Sequence, residues 1–119
     1  MMRGPMRSLE AAVQEVLWAS PDALKPDEVL GRLEIEPPIA YSTVLTVLRR
    51  LWKKNLVTRE QDGKAYRYTP TMTREEHVAA TMSDAFAATA DPSVALGHFV
   101  ASLSDEDTSN LKKLLRKKK

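Results

Sequence analysis

Ala40 to Pro70 reads AYSTVLTVLRRLWKKNLVTREQDGKAYRYTP. Its first part sets Val44, Val47, Leu48 and Leu51 at the i, i+3, i+4, i+7 spacing that gathers apolar side chains on one helical face. At about 100° per residue, Ser42, Thr46, Arg49 and Lys53 fall on the opposite side, flanked by Thr43 and Arg50. Short hydroxyl side chains thus occupy the N-terminal end of the outer face, and cations its C-terminal end. After Asn55 the period changes. Leu56 to Glu60 and Ala65 to Thr69 are rich in strand-forming residues, and Asp62-Gly63 between them is a hairpin turn signal of the kind that places both central residues at positive φ. The stretch predicts a helix leading directly into an antiparallel β-hairpin.

Charge is concentrated in the same place. Residues 41–70 hold seven basic side chains against two acids, a net of +5, whereas residues 1–40 hold four against seven, a net of −3. The whole chain is only +2. An ordinary solvated helix face would also carry lysine and arginine, but the hydroxyl cluster and attached hairpin favour a polyanionic partner. This is the reading half of a winged helix-turn-helix, in which the helix enters the DNA major groove and the hairpin lies along the backbone. The candidate DNA contacts are Tyr41, Ser42, Thr43, Thr46, Arg49, Arg50, Lys53 and Lys54 on the helix, with Arg59, Lys64 and Arg67 on the wing. Ser42, Thr43 and Thr46 can meet base edges, or phosphates at a helix N-terminus. Tyr41 suits packing or a phosphate. The helix cations lie beyond its first turns and suit phosphates, and the wing cations suit sequence-tolerant contacts.

The preceding segments supply the rest of such a domain. Met1 to Arg7 is expected to be a loose arm. Ser8 can cap a helix over about Leu9 to Ala19, with Leu9, Val13, Val16 and Leu17 inward and Glu10 near its positive end. Ser20-Pro21-Asp22 ends it. Pro26 suits the first turn of a short second helix, followed by Asp27 and Glu28, with Val29, Leu30 and Leu33 as its apolar face; Lys25 is a poor cap. Glu36-Pro37-Pro38 predicts an extended connection. Trp18 and Trp52 read as core or domain-packing anchors, and Tyr66 and Tyr68 as hairpin packing.

With these residues in view, IAYSTVLTVLRRLWKKNLV and the following AYRYTP closely resemble the BlaI/MecI/CopY family of bacterial penicillinase-type repressors. The resemblance extends to LEAAVQEVLW near the N-terminus and, more weakly, to LGHFVASLSDEDTSNLKKLL, so that it spans about Leu9 to Leu115. It implies a winged-helix N-terminal domain, a helical C-terminal dimerisation domain, and repression by a homodimer at a two-fold symmetric double-stranded DNA operator. By position, the family's reading helix falls on Tyr41 to Lys54 and its wing on Arg59 to Arg67. Copper-responsive members carry a C-terminal cysteine cluster, and this chain has no cysteine. Other members are inactivated by proteolysis in the C-terminal half, which makes a protease or other releasing signal a further implied partner; no cleavage site is assigned here. A bacterial cytoplasmic location, on the nucleoid through the operator, is implied as well.

Past Pro70, Thr73-Arg74-Glu75-Glu76 is a capping box opening a helix to about Ala90, with Val78, Met82, Ala85 and Phe86 at helical spacing. Asp91-Pro92 starts a second helix carrying Leu96, Phe99 and Val100. Ser104, followed by Asp105, Glu106 and Asp107, opens a last one with Leu111, Leu114 and Leu115. These segments hold too little bulky apolar material to close a core alone, so Val78, Met82, Phe86, Leu96, Phe99, Val100, Leu111, Leu114 and Leu115 are expected to meet a second copy of the chain. The expected fold is mostly α with a small antiparallel β-hairpin: a winged helix-turn-helix domain over residues 1–70 and a three-helix dimerisation region over 71–119.

Other classes fare worse. No apolar stretch approaches the roughly 20 residues that span a membrane, and MMRGPMRS has no apolar run behind it, so neither a membrane partner nor a secretory signal is expected. The absence of cysteine excludes disulfides and thiolate metal sites and fits a reducing cytoplasm. His77 and His98 stand far apart, so no metal is expected. No Ser-His-Asp pairing, glycine-rich phosphate loop or paired carboxylate stands out, so neither an enzyme nor a cofactor is expected. Two alternatives remain. A winged-helix protein-interaction module needs no basic reading face, and a small-molecule or metal sensor of the MarR or ArsR type needs a ligand cleft or closely spaced ligands. The terminal run Lys112, Lys113 and Arg116 to Lys119 suits nonspecific phosphate attraction, or the negative end of the last helix.

Overall fold

The computed structural model describes residues 5–118, with side chains from Leu9 onward. The order is α1 (Pro5–Ala19), α2 (Pro26–Arg32), α3 (Tyr41–Lys53), β1 (Val57–Asp62), β2 (Ala65–Pro70), α4 (Arg74–Ala87), α5 (Pro92–Ala101) and α6 (Asp105–Lys117). The chain divides into two compact units, Met1–His77 and Val78–Lys119. The first turn of α4 thus belongs with the helices and hairpin before it.

In the N-terminal unit, α1 begins earlier than the sequence predicts. Of the expected loose arm, Met1 to Gly4 lie outside the described residues, and Pro5 to Arg7 are helical. Proline is well placed at a first helical position, because its fixed φ suits the helix and its missing N–H had no intrahelical acceptor to lose. Ser8 consequently sits within the helix rather than capping it. At α2, Lys25 offers no side-chain acceptor; instead its own N–H donates to Glu28 Oε1 at 2.8 Å, the reverse half of a capping box. The connection to α3 bends at Glu36 and Pro37, whose peptide bond is cis, and is not simply extended.

The core follows the predicted stripes. Val13 and Leu17 of α1, Val29 of α2, and Val44, Val47, Leu48 and Leu51 of α3 are buried with Leu24, Val57 and Tyr68. Burial contributes roughly 1.5–3 kcal/mol for each large aliphatic side chain, so the inner face of α3 is the main anchor of the unit. That helix ends at Lys53 with Lys54 as its cap, and the chain turns away at Asn55, which takes φ +63°. The Asn55 N–H donates to the Trp52 carbonyl at 3.0 Å and the Leu56 N–H to the Leu51 carbonyl at 2.9 Å. This pair is a Schellman motif, and asparagine tolerates the left-handed conformation it requires.

The hairpin corrects the turn expected from sequence. Asp62 pairs with Ala65, so the two-residue turn is Gly63-Lys64, not Asp62-Gly63. Gly63 has φ +67°, and Lys64 is not among the described residues with positive φ. Positive φ at the first central position alone is the type II′ pattern, which matches the twist of the flanking strands. A third, short piece of sheet was not foreseen. Leu24 forms an isolated bridge to Tyr68, with Leu24 N–H to Tyr68 O at 3.1 Å and Tyr68 N–H to Leu24 O at 2.8 Å. It fastens the base of the hairpin between α1 and α2.

The three later helices begin where their caps predict. Thr73 Oγ1 accepts from the Glu76 N–H (3.0 Å) while Glu76 Oε1 accepts from the Thr73 N–H (2.8 Å). Asp91 Oδ1 accepts from Val94 N–H (3.3 Å), and Ser104 Oγ from Asp107 N–H (3.1 Å). No residue of α4, α5 or α6 is buried. Val78, Met82, Phe86, Leu96, Phe99, Val100, Leu114 and Leu115 are exposed, and Leu111 is half-buried. No helix among the described residues is long and apolar enough to cross a membrane.

Candidate nucleic-acid interface

The surroundings of α3 follow from its period of about 100° per residue. With the buried face toward the core, Tyr41, Leu45 and Trp52 lie on the flank next to the hairpin, and Thr43, Arg50 and Lys54 on the opposite flank. The direction away from the core holds Ser42, Thr46, Arg49 and Lys53. Arg49, Arg50 and Lys53 are exposed, as is Lys64 at the tip of the hairpin, and none of them has a carboxylate partner among the described residues. Thr46 Oγ1 donates to the Ser42 carbonyl at 3.0 Å. Its proton is thereby used within the helix, so toward a ligand its oxygen can only accept and its methyl can only pack.

Between α3 and the hairpin lies a groove of about 230 Å³ lined by Tyr41, Leu45, Arg49, Arg59, Lys64 and Tyr66, with Pro26, Ala65 and Tyr68 at its floor and edges. Three cations from two elements converge on this one concavity. Such an arrangement attracts a polyanion along its length and presents donors from both sides.

The family model described as penicillinase repressor matches residues 7–117. The chain belongs to the penicillinase repressor family. The transcriptional regulator BlaI of Mycobacterium tuberculosis, in strains H37Rv and CDC 1551 alike, is 39% identical over 110 residues, which are 90% of this chain and 80% of that protein. Among solved structures, that of the DNA-binding domain of the repressor BlaI superposes with a TM-score of 0.51 at 25% identity, over 63% of this chain and 93% of that one.

In this member of the family, three of the cations expected at DNA are engaged by the protein itself. Lys54 Nζ reaches Glu10 Oε1 on α1 at 2.8 Å. Arg67 donates through Nε to Asp62 Oδ2 at 2.6 Å and through Nη1 to the Ala23 carbonyl at 3.3 Å, with Glu28 Oε1 at 3.5 Å. Lys25 Nζ approaches the same Asp62 oxygen at 3.6 Å. The Arg67 hydrogen bond, with Lys25 adding to it, holds the Asp62 carboxyl below its ordinary value, and Asp62 in turn raises Arg67. Arg59 is the third. Its Cζ stands 3.6 Å from the ring centroid of Trp52 and 4.1 Å from that of Tyr66.

Trp52 is therefore not a core anchor. It is 38% exposed on the hairpin flank of α3. Trp18 does anchor packing: its Nε1 donates to the Met72 carbonyl at 2.9 Å, and its ring lies 5.3 Å from that of His77. Tyr68 is buried, and Tyr66 meets it edge-on at 6.4 Å between centroids. The signal for the Arg59 contact was available in the strand alternation. Arg59, like Val57, falls on the face shared with Tyr66 and Tyr68.

Proposed function

We propose that this repressor acts as a homodimer on a two-fold symmetric DNA operator in the bacterial cytoplasm, each copy setting α3 into a major groove with its hairpin beside the backbone. The observation that carries this reading is the outward face of α3. Hydroxyls at its N-terminal half, unpaired cations beyond them and a cationic groove shared with the wing form one continuous surface. Ser42, Thr43 and Thr46 meet base edges or the nearest phosphates, while Tyr41, Arg49, Arg50, Lys53 and Lys64 bind phosphates and set the register. Lys54, Arg59 and Arg67 hold the protein scaffold instead.

The homodimer is supported by the C-terminal unit. Its apolar side chains lie at the predicted helical spacing and are left exposed in a single chain, an arrangement that a second copy would bury. The domains are proposed to divide as the compact units do, with the dimerisation region beyond His77. Family membership points to transcription control, and no catalytic step is proposed. Selection of binding sites from random duplex DNA, with sedimentation of the full chain, tests both halves. A two-fold consensus and a dimer at micromolar concentration are expected; a single half-site bound equally tightly by a monomer would refute the proposal.

A further inference from the structure

We infer that Arg59 is a positioning residue which clasps the wing to the reading helix, and that DNA contact at the wing is made by Lys64. The inference rests on the DNA-binding reading above and assigns separate roles within the same surface. Arg59 leaves β1 opposite Tyr68, beside the buried base of the hairpin, and its guanidinium fills the space between Trp52 of α3 and Tyr66 of β2. No carboxylate pairs with it among the described residues, so the two ring faces are its partners. A flat, weakly hydrated cation can stack against rings on both sides at once; a compact, strongly hydrated ammonium cannot reproduce that.

The consequence is mechanical. A two-stranded hairpin is marginal on its own, and beyond Val57 and Tyr68 none of its residues is buried. Arg67 and Asp62 tie the hairpin toward α2, and the Arg59 stack ties it to α3. With both ties in place, Lys64 is held at a fixed distance from Arg49 and Lys53, so phosphates on both sides of the groove can be met together without further ordering.

The test uses the full chain and a labelled random-sequence duplex, with affinity followed across a salt series. Each lost phosphate contact lowers the slope of log K against log salt by about 0.9 per chain. Arg59→Lys keeps the charge yet is expected to lose about 0.9, because the freed wing no longer presents Lys64. Lys64→Ala is expected to lose the same amount, and the double variant no more than either alone. A wild-type slope for Arg59→Lys, or losses that add to about 1.8, would overturn the clasp. A second measurement needs no DNA. With Trp18→Phe leaving Trp52 as the sole tryptophan, acrylamide quenching of Trp52 should rise on Arg59→Lys and on Tyr66→Ala while both variants still melt cooperatively; unchanged quenching overturns the clasp. A wild-type chain that binds no duplex sinks the DNA-binding reading, and the quenching result still decides the stack.

Discussion

Replacing Gly63 by valine isolates the contribution of the wing's turn. Gly63 has φ +67°, and nothing stands within 4 Å of the place where a Cβ would sit. The penalty is therefore conformational and not steric against neighbours. Left-handed backbone costs an ordinary L-residue roughly 1–2 kcal/mol, and a β-branched side chain falls at the upper end. That is about a 5- to 30-fold shift in the population of the native turn. The buried residues of the hairpin, Val57 and Tyr68, are at its base, so the strain falls on the tip and on Lys64. Duplex affinity per chain, read by fluorescence anisotropy, should drop by up to that factor, while the circular-dichroism melt stays near wild type. Wild-type affinity and melting for Gly63→Val would show that the turn does not position a DNA contact.

Thr46→Ala should weaken the selected site more than random DNA, since the proposed base contact uses its oxygen as the acceptor; equal losses on both duplexes would remove the base-reading role. Lys53→Ala should weaken all sequences alike and lower the salt slope by about 0.9. Phe99→Asp or Leu111→Asp puts a charge on a surface proposed to be buried between copies, so sedimentation should shift toward monomer, with the avidity of about 10²–10⁴ for a two-fold site lost. Glu15 is held below its ordinary value by its hydrogen bonds from Arg74, the shortest 2.6 Å, so the folded state binds its proton less readily than the unfolded chain does. The stabilisation from this pair is therefore present above the unfolded Glu value of about 4.3 and lost as pH falls through the folded one. The melting penalty of Arg74→Ala should accordingly shrink in acid, and a penalty independent of pH would exclude the pair as its source.

Much of the fold is legible in residues a few positions apart. The apolar stripe of α3, the capping pairs at Thr73 and Glu76, at Asp91, and at Ser104, and the change of period after Asn55 are local features, and the structure keeps each of them. Hydrogen bonds within a helix, and the caps that end it, join neighbours in sequence, so composition and spacing are enough to specify them. The turn register was nearly local, yet it slipped. Asp-Gly is a strong signal for one two-residue turn, but the glycine also suits the first position of another, and here Asp62 pairs with Ala65 while its carboxylate takes Arg67 and Lys25.

What spacing could not decide was which cations remain free for a ligand. Lys54 and Glu10 are separated by 44 positions, as are Arg67 and the Ala23 carbonyl. Trp18 reaches Met72 across 54. Lysine and arginine carry their charge at the end of long stems, so their partners depend on where the fold brings another helix or strand, not on the periodicity of their own. On sequence alone Lys53 and Lys54 look interchangeable. One helical step of about 100° leaves the first facing outward and turns the second against α1, and Arg59 was equally ambiguous until the hairpin folded back beside Trp52. The amino-acid sequence by itself determined α3, its inner face and the existence of a basic hairpin after it. Only tertiary structure divided the basic residues into those engaged within the protein and those left exposed without a carboxylate partner among the described residues, because that division depends on contacts between elements distant in the chain.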